Sequence, residues 1–134
     1  MPLQVELVSP ERVLYSGEAD MVVTRTTDGE IAFLANHAPF IGALGIARVR
    51  IILPDGSHET AAVHGGFVEV RDNRVTILSD VAELASQIDV SRAEAAQARA
   101  EEQLRSAQDA EHDAALARAV LRIDVAASGL SPGT

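Results

Sequence analysis

Apolar and polar residues alternate with a period of two along the first 80 or so residues, then recur at helical spacing to about Val125. Leu3, Val5 and Leu7 alternate with Gln4 and Glu6, the signature of a strand with one buried face. The run Ile46 to Leu53 sets Arg48 and Arg50 on one face and Val49 and Ile51 on the other. Val68 and Val70 oppose Phe67, Glu69 and Arg71, and Val75 and Ile77 continue the pattern. Met21 and Val23 belong to a further, less regular strand. Asp28-Gly29, Asp55-Gly56 and Asp72-Asn73 are hairpin turns, because these residues accept the positive φ that tight turns need. Pro10 and Pro54 end or interrupt strands, and Gly65-Gly66 marks a bulge or a close backbone approach. Many short strands at close spacing predict a sandwich or barrel.

The period changes near Val81. Residues 81–86 read as a short turn of helix, followed by a helix from about Val90 to Ala107. Ser91-Arg92-Ala93-Glu94 fits a capping box. Ala93, Ala96, Ala100, Leu104 and Ala107 form a narrow apolar stripe. Ser106-Ala107-Gln108-Asp109 is a turn into a second, antiparallel helix from about Asp109 to Val125, carrying Ala117, Val120, Leu121 and Ile123. Burying a methylene contributes about 0.8 kcal/mol, and alanine has none to bury. Such helices persist through intrinsic propensity while their docking stays adjustable.

The chain has 134 residues, 47% of them hydrophobic, enough for one compact domain with an appendage. The net charge of −9 argues against a nucleic-acid groove or a polybasic lipid patch. Cysteine is absent, which removes disulfides and thiolate sites together. The N-terminal Met1-Pro2-Leu3-Gln4-Val5-Glu6 has no signal-peptide pattern, and no apolar run approaches the roughly 20 residues of a membrane helix, so direct membrane insertion is not expected. His37, His58, His64 and His112 show no metal-ligand spacing. No serine sits in a Gly-x-Ser-x-Gly elbow and no glycines form a phosphate loop, so neither a metal site nor a catalytic residue is expected.

One charged cluster stands out. Asp89 precedes a helix, where an aspartate ordinarily caps backbone N–H groups. Arg92 lies in the first turn, where a cation opposes the helix dipole unless an acid or phosphate offsets it. Arg118 and Arg122 share a face of the second helix, as a solvated ridge or as partners of acidic residues. If the helices fold back together, three guanidinium groups converge on one anion.

Several segments, taken in order, resemble the epsilon subunits of bacterial F-type ATP synthases. They are Leu7-Val8-Ser9-Pro10-Glu11-Arg12, Tyr15-Ser16-Gly17-Glu18-Ala19, Asp28-Gly29-Glu30 and His37-Ala38-Pro39, then Gly65-Gly66-Phe67-Val68-Glu69-Val70, Val75 to Asp80, and Ile88-Asp89-x-x-Arg92-Ala93. The resemblance implies a ten-stranded β-sandwich over residues 1–86 and a helical hairpin over 87–125; Gly129, Pro132 and Gly133 make residues 126–134 a flexible tail. It implies a non-catalytic rotor subunit on the cytoplasmic face of the bacterial membrane, bound to the gamma subunit and the c-ring. That subunit helps couple proton translocation to ATP synthesis. Its helices, when extended, meet the alpha and beta subunits and inhibit ATP hydrolysis. No cofactor is required, and ATP is implied as a regulatory ligand of Ile88, Asp89, Arg92 and Ala93, with Arg118, Arg122 and neighbouring Glu83. Asp28, Gly29 and Glu30 match a c-ring contact, and His37 a region facing gamma. The competing expectation is an ATP-sensing switch with no rotor role.

Overall fold

The computed structural model describes residues 2–106 and 110–129. Eight strands come first: β1 (Leu3–Val8), β2 (Val13–Ala19), β3 (Met21–Thr26), β4 (Gly29–Leu34), β5 (Phe40–Ile52), β6 (His58–Arg71), β7 (Arg74–Leu78) and β8 (Ala82–Leu84). A 3-10 turn (Ala85–Gln87) leads to α1 (Val90–Ser106) and α2 (Ala110–Gly129). The hydrogen-bonded order is β2-β1-β7-β6-β5-β3-β4, with β8 added to β6. The β1–β7 pair is parallel and the others are antiparallel.

The strands number eight and not ten because β5 and β6 each serve both layers of the sandwich. Their ladder pairs Phe40–Leu44 with Gly66–Val70 and Ile46–Ile52 with His58–His64, and it breaks at Gly45 and Gly65. The buried parity switches there. Ala61 and Val63 face the core before the break, and Val68 and Val70 after it. One half of the pair thus lies with β3, β4 and β8, and the other with β7, β1 and β2. Both layers close on one core that includes Leu3, Leu7, Phe33, Ile51 and Ile77. Among the described residues no helical one belongs to it.

The turns at Asp55-Gly56 and Asp72-Asn73 hold, and the one expected at Asp28-Gly29 falls one residue earlier, at Thr27-Asp28. Asp72 and Asn73 have φ of 52° and 58°, the two positive values of a tight hairpin, and Gly56 has φ of 87°. Gly66, at φ +133°, is a close approach: an added Cβ would lie 2.0 Å from the Leu78 carbonyl oxygen. Gly65, at φ +88°, has open space around it. Gly66→Ala is therefore expected to lower stability by roughly 2–4 kcal/mol, and Gly65→Ala by only about 1 kcal/mol. Urea-unfolding midpoints check the contrast; equal losses would refute the close-approach account.

The helical half departs from expectation in three places. Residues 81–86 hold strand β8 and the start of the 3-10 turn, because Ala82, Glu83 and Leu84 pair with Val63, Ala62 and Ala61. Helix α2 continues through Gly129, past the expected end at Val125 and into the segment expected to be a flexible tail. Val125 and Ala126 are buried there against Ala62 and Ile88, with Leu121 and Ala85 packed alongside. The buried face of α2 also differs. Ala119 is fully buried, whereas Ala117 is exposed and Val120 is 45% exposed. The predicted turn at Ala107, Gln108 and Asp109 lies outside the described residues, as do positions 130–134.

Candidate functional site

The hairpin lies on the outward face of the β6–β8 part of the sandwich. Alternation along β6 turns Ala62 and His64 out of the core, and Ala62 becomes the floor of the small cluster under α2. Glu83 of β8 pairs with Ala62 and presents its carboxylate to α2. Arg122 Nε donates to Glu83 Oε1 at 2.6 Å, with both side chains about three-quarters buried. Such charge-assisted contacts are roughly twice as strong as neutral ones. A second ion pair, Arg48 of β5 with Asp124 of α2, holds the far side of the helix. The sandwich therefore grips the hairpin more firmly than an alanine stripe by itself predicts. The seam between the helices is as small as expected, with Ala93, Ala100 and Ala119 buried.

Asp89 caps α1. Its Oδ1 accepts the Arg92 N–H at 3.0 Å, so Asp89 takes the capping place that the sequence pattern also offers to Ser91. The Arg92 side chain is exposed at the mouth of a cavity of about 320 Å³, lined by Glu83, Gln87, Asp89, Arg92, Ala93, Ala96, Arg99 and Arg122. An adjoining cavity of about 290 Å³ shares Ala96, Arg99 and Arg122 and adds Arg118. Four arginines thus border one groove between the helices. Its size is that of a small-molecule site. The guanidinium groups suit a phosphate-bearing anion, and Glu83, Gln87 and Asp89 supply acceptors for N–H or hydroxyl donors.

The fold brings Glu83, Asp89, Arg92, Ala93 and Arg122 to one cavity and Arg118 to its neighbour. Ile88 lies elsewhere, 9% exposed in the cluster beneath α2, so its side chain packs and does not line the groove. Gln87 and Arg99 are additions that the sequence reading missed. Arg99 stands seven residues after Arg92, two turns on along the same face, and that spacing was visible. Gln87 serves the backbone too, accepting the Leu84 N–H at 3.1 Å.

The other expected contacts lie away from the hairpin. Asp28 forms the β3–β4 turn with Thr27, and Gly29 and Glu30 open β4, paired with Thr26 and Arg25. There Thr26 Oγ1 accepts the Asp28 N–H and donates to the Gly29 carbonyl, each at 3.1 Å. His37 follows β4, its ring edge-on to Phe33 at 5.0 Å. Among the described residues no helix is long and apolar enough to cross a membrane.

A third surface is apolar. Cross-strand partners set Ala43, Phe67, Leu78, Val8 and Val13 in one row across the outer face of β5-β6-β7-β1-β2. Phe67 is 59% exposed, Leu78 51% and Val13 57%, and Ile41 beside them is 72% exposed. Ser9, Pro10 and Gly66 join Phe67 and Leu78 around an open cavity of about 550 Å³.

Fold and site together define a two-part protein, a β-sandwich carrying an arginine-rich helical hairpin docked on one face. The chain belongs to the ATP synthase delta/epsilon chain family: residues 2–85 match its beta-sandwich domain and residues 86–127 its long alpha-helix domain. It is similar to the ATP synthase epsilon chain of Brevibacillus brevis, 50% identical over 76% of this chain and 77% of that one. The epsilon chain of Shouchella clausii is 42% identical over 92% of this chain and 94% of its own. Among solved structures, the fold resembles a chain of the Euglena gracilis mitochondrial ATP synthase OSCP/F1/c-ring assembly. The TM-score is 0.77 at 21% identity, covering 95% of this chain and 81% of that one. A chain of the Tetrahymena thermophila central stalk and c-ring matches with a TM-score of 0.57 at 14% identity, covering 98% of each.

Proposed function

We propose that this chain is the epsilon subunit of a bacterial F-type ATP synthase: a structural and regulatory rotor component that docks on gamma and the c-ring and restrains ATP hydrolysis through its hairpin. The observation that carries this reading is the apolar row through Phe67 and Leu78, which no element of the described chain covers. A row of large exposed apolar residues favours a protein partner. It lies on the layer that the hairpin leaves free, so docking and hairpin movement do not compete. The Asp28-Gly29-Glu30 turn is the proposed c-ring contact, and His37 borders the proposed gamma contact. The proposed location is peripheral, on the cytoplasmic face of the cell membrane, with alpha and beta reached only by an extended hairpin.

Pull-down from native membranes tests the assignment. Gamma, alpha and beta subunits are expected to co-purify with the wild-type chain. Phe67→Asp places a charge in the centre of the row and should abolish recovery of gamma while the isolated sandwich melts normally. Wild-type chain that brings down none of these subunits, or a Phe67→Asp variant that retains gamma, would refute the docking reading.

A regulatory nucleotide site in the arginine groove is the second part of the proposal. Glu83, Asp89, Ala93, Arg92, Arg118 and Arg122 are the proposed ligand residues, with Arg99 and Gln87 added by their place in the cavity walls. ATP held there would favour the docked hairpin, because a ligand shifts a population toward the state it prefers.

A further inference from the structure

His64 sits under the hairpin; it lines neither cavity of the arginine groove, and it borders the open cavity beside Phe67 and Leu78. Its side chain is only 3% exposed. Neither ring nitrogen has a hydrogen-bond partner among the described residues. The nearest acceptor is Glu83 Oε1, 3.5 Å from Nε2, and that same oxygen accepts the Arg122 N–H at 2.6 Å.

We infer that His64 is a proton-operated latch: protonating its buried ring weakens the docking of α2 on the sandwich. The charges around it decide the sign. From α2, Arg122 and Arg118 both repel an imidazolium; from β8, Glu83 attracts it. On β5 the partner of His64 is the uncharged Ile46, and Arg48 further along is held by Asp124. Asp80, beside the Val81 carbonyl that accepts the His64 N–H, is exposed to solvent. Burial, followed by the Arg122 charge, holds the docked imidazole below the usual histidine range, against the pull of Glu83. Undocking of α2 wets the ring and removes both guanidinium groups but leaves Glu83, so the affinity for a proton rises. Docking stability is therefore fully present above the undocked value and is lost as pH falls through the ordinary histidine range toward the depressed one.

The inference rests on the docked geometry and does not require the nucleotide reading. Amide hydrogen exchange across residues 119–126 of the full chain, without nucleotide and normalised to intrinsic rates, tests it. One linked proton allows at most a tenfold change per pH unit. The open fraction of α2 is expected to rise about tenfold between pH 8 and pH 5.5 in the wild type, and to stay flat in His64→Gln. A flat wild-type profile, or an equal rise in His64→Gln, would overturn the latch. If His64→Gln does not fold, proton NMR titration of the wild-type histidines decides. His64 titrating lowest of the four supports the latch, and His64 titrating with or above the others overturns it. With no nucleotide present, failure here leaves the ATP proposal standing, and failure of ATP to bind leaves the latch standing.

Discussion

Removal of residues 88–134 is expected to raise ATP hydrolysis by the assembled complex several-fold without preventing assembly. The sandwich core supports this truncation, since every member of its large cluster lies between Leu3 and Ile77. Truncation uncovers Ala62 and His64 and leaves Glu83 without Arg122, a small loss beside the valine, leucine and phenylalanine that remain packed. The apolar row through Phe67 also survives, so the proposed docking surface is intact. In the full chain, extension must first break the Arg122–Glu83 and Arg48–Asp124 pairs and expose Val125 and Ile88. These contacts set how often an inhibitory hairpin is released. Hydrolysis assays on reconstituted complexes check the outcome. An unchanged or lower rate with normal subunit stoichiometry would contradict a restraining hairpin.

Arg122→Ala is expected to weaken ATP binding more than Arg92→Ala. Arg92 is exposed at the cavity mouth, so its removal costs only the ligand contact, about tenfold in affinity or 1.4 kcal/mol. Arg122 does two jobs. It lines both halves of the groove, and it neutralises Glu83, which is only 29% exposed. Its loss leaves that carboxylate partly buried without its guanidinium and loosens α2, so a decrease of roughly 30- to 100-fold is expected, allowing for solvent screening. Calorimetric titration of the isolated chain with ATP measures both. Wild-type affinity in both variants would return these arginines to a solvated ridge. Unfolding of the sandwich should be unchanged in either variant, because neither residue reaches its core.

The strands were legible because a half-buried strand writes its period into the chain. Val49 and Ile51 against Arg48 and Arg50 is the burial pattern observed, and Val68 and Val70 against Phe67 and Glu69 is another. The strand count was not, because β5 and β6 turn from one layer to the other inside continuous ladders. Only the doublet Gly65-Gly66 hinted at the break. Part of the site was legible too. Asp89, Arg92 and the Arg118–Arg122 pair stood out because their positions on a helix were awkward or repeated. Arg99 and Gln87 were overlooked since each looks ordinary in its own segment.

Local pattern by itself determined what each segment becomes: strands with one buried face, hairpin turns near Asp28 and at Asp72-Asn73, and two alanine-rich helices. The tertiary structure decided which faces meet. Helix α2 is apolar nearly all round, from Ala114 and Ala115 through Leu121 to Ala127, so its sequence does not choose a contact face. The choice falls to the sandwich, where Ala62 offers a flat floor and Glu83 and Arg48 offer charges for Arg122 and Asp124. Burial of Val125 and Ala126 then carries the helix past its expected end. His64 owes its setting to the same choice, because β6 alternation turns it out of the core and the docked helix brings Arg118 and Arg122 near it.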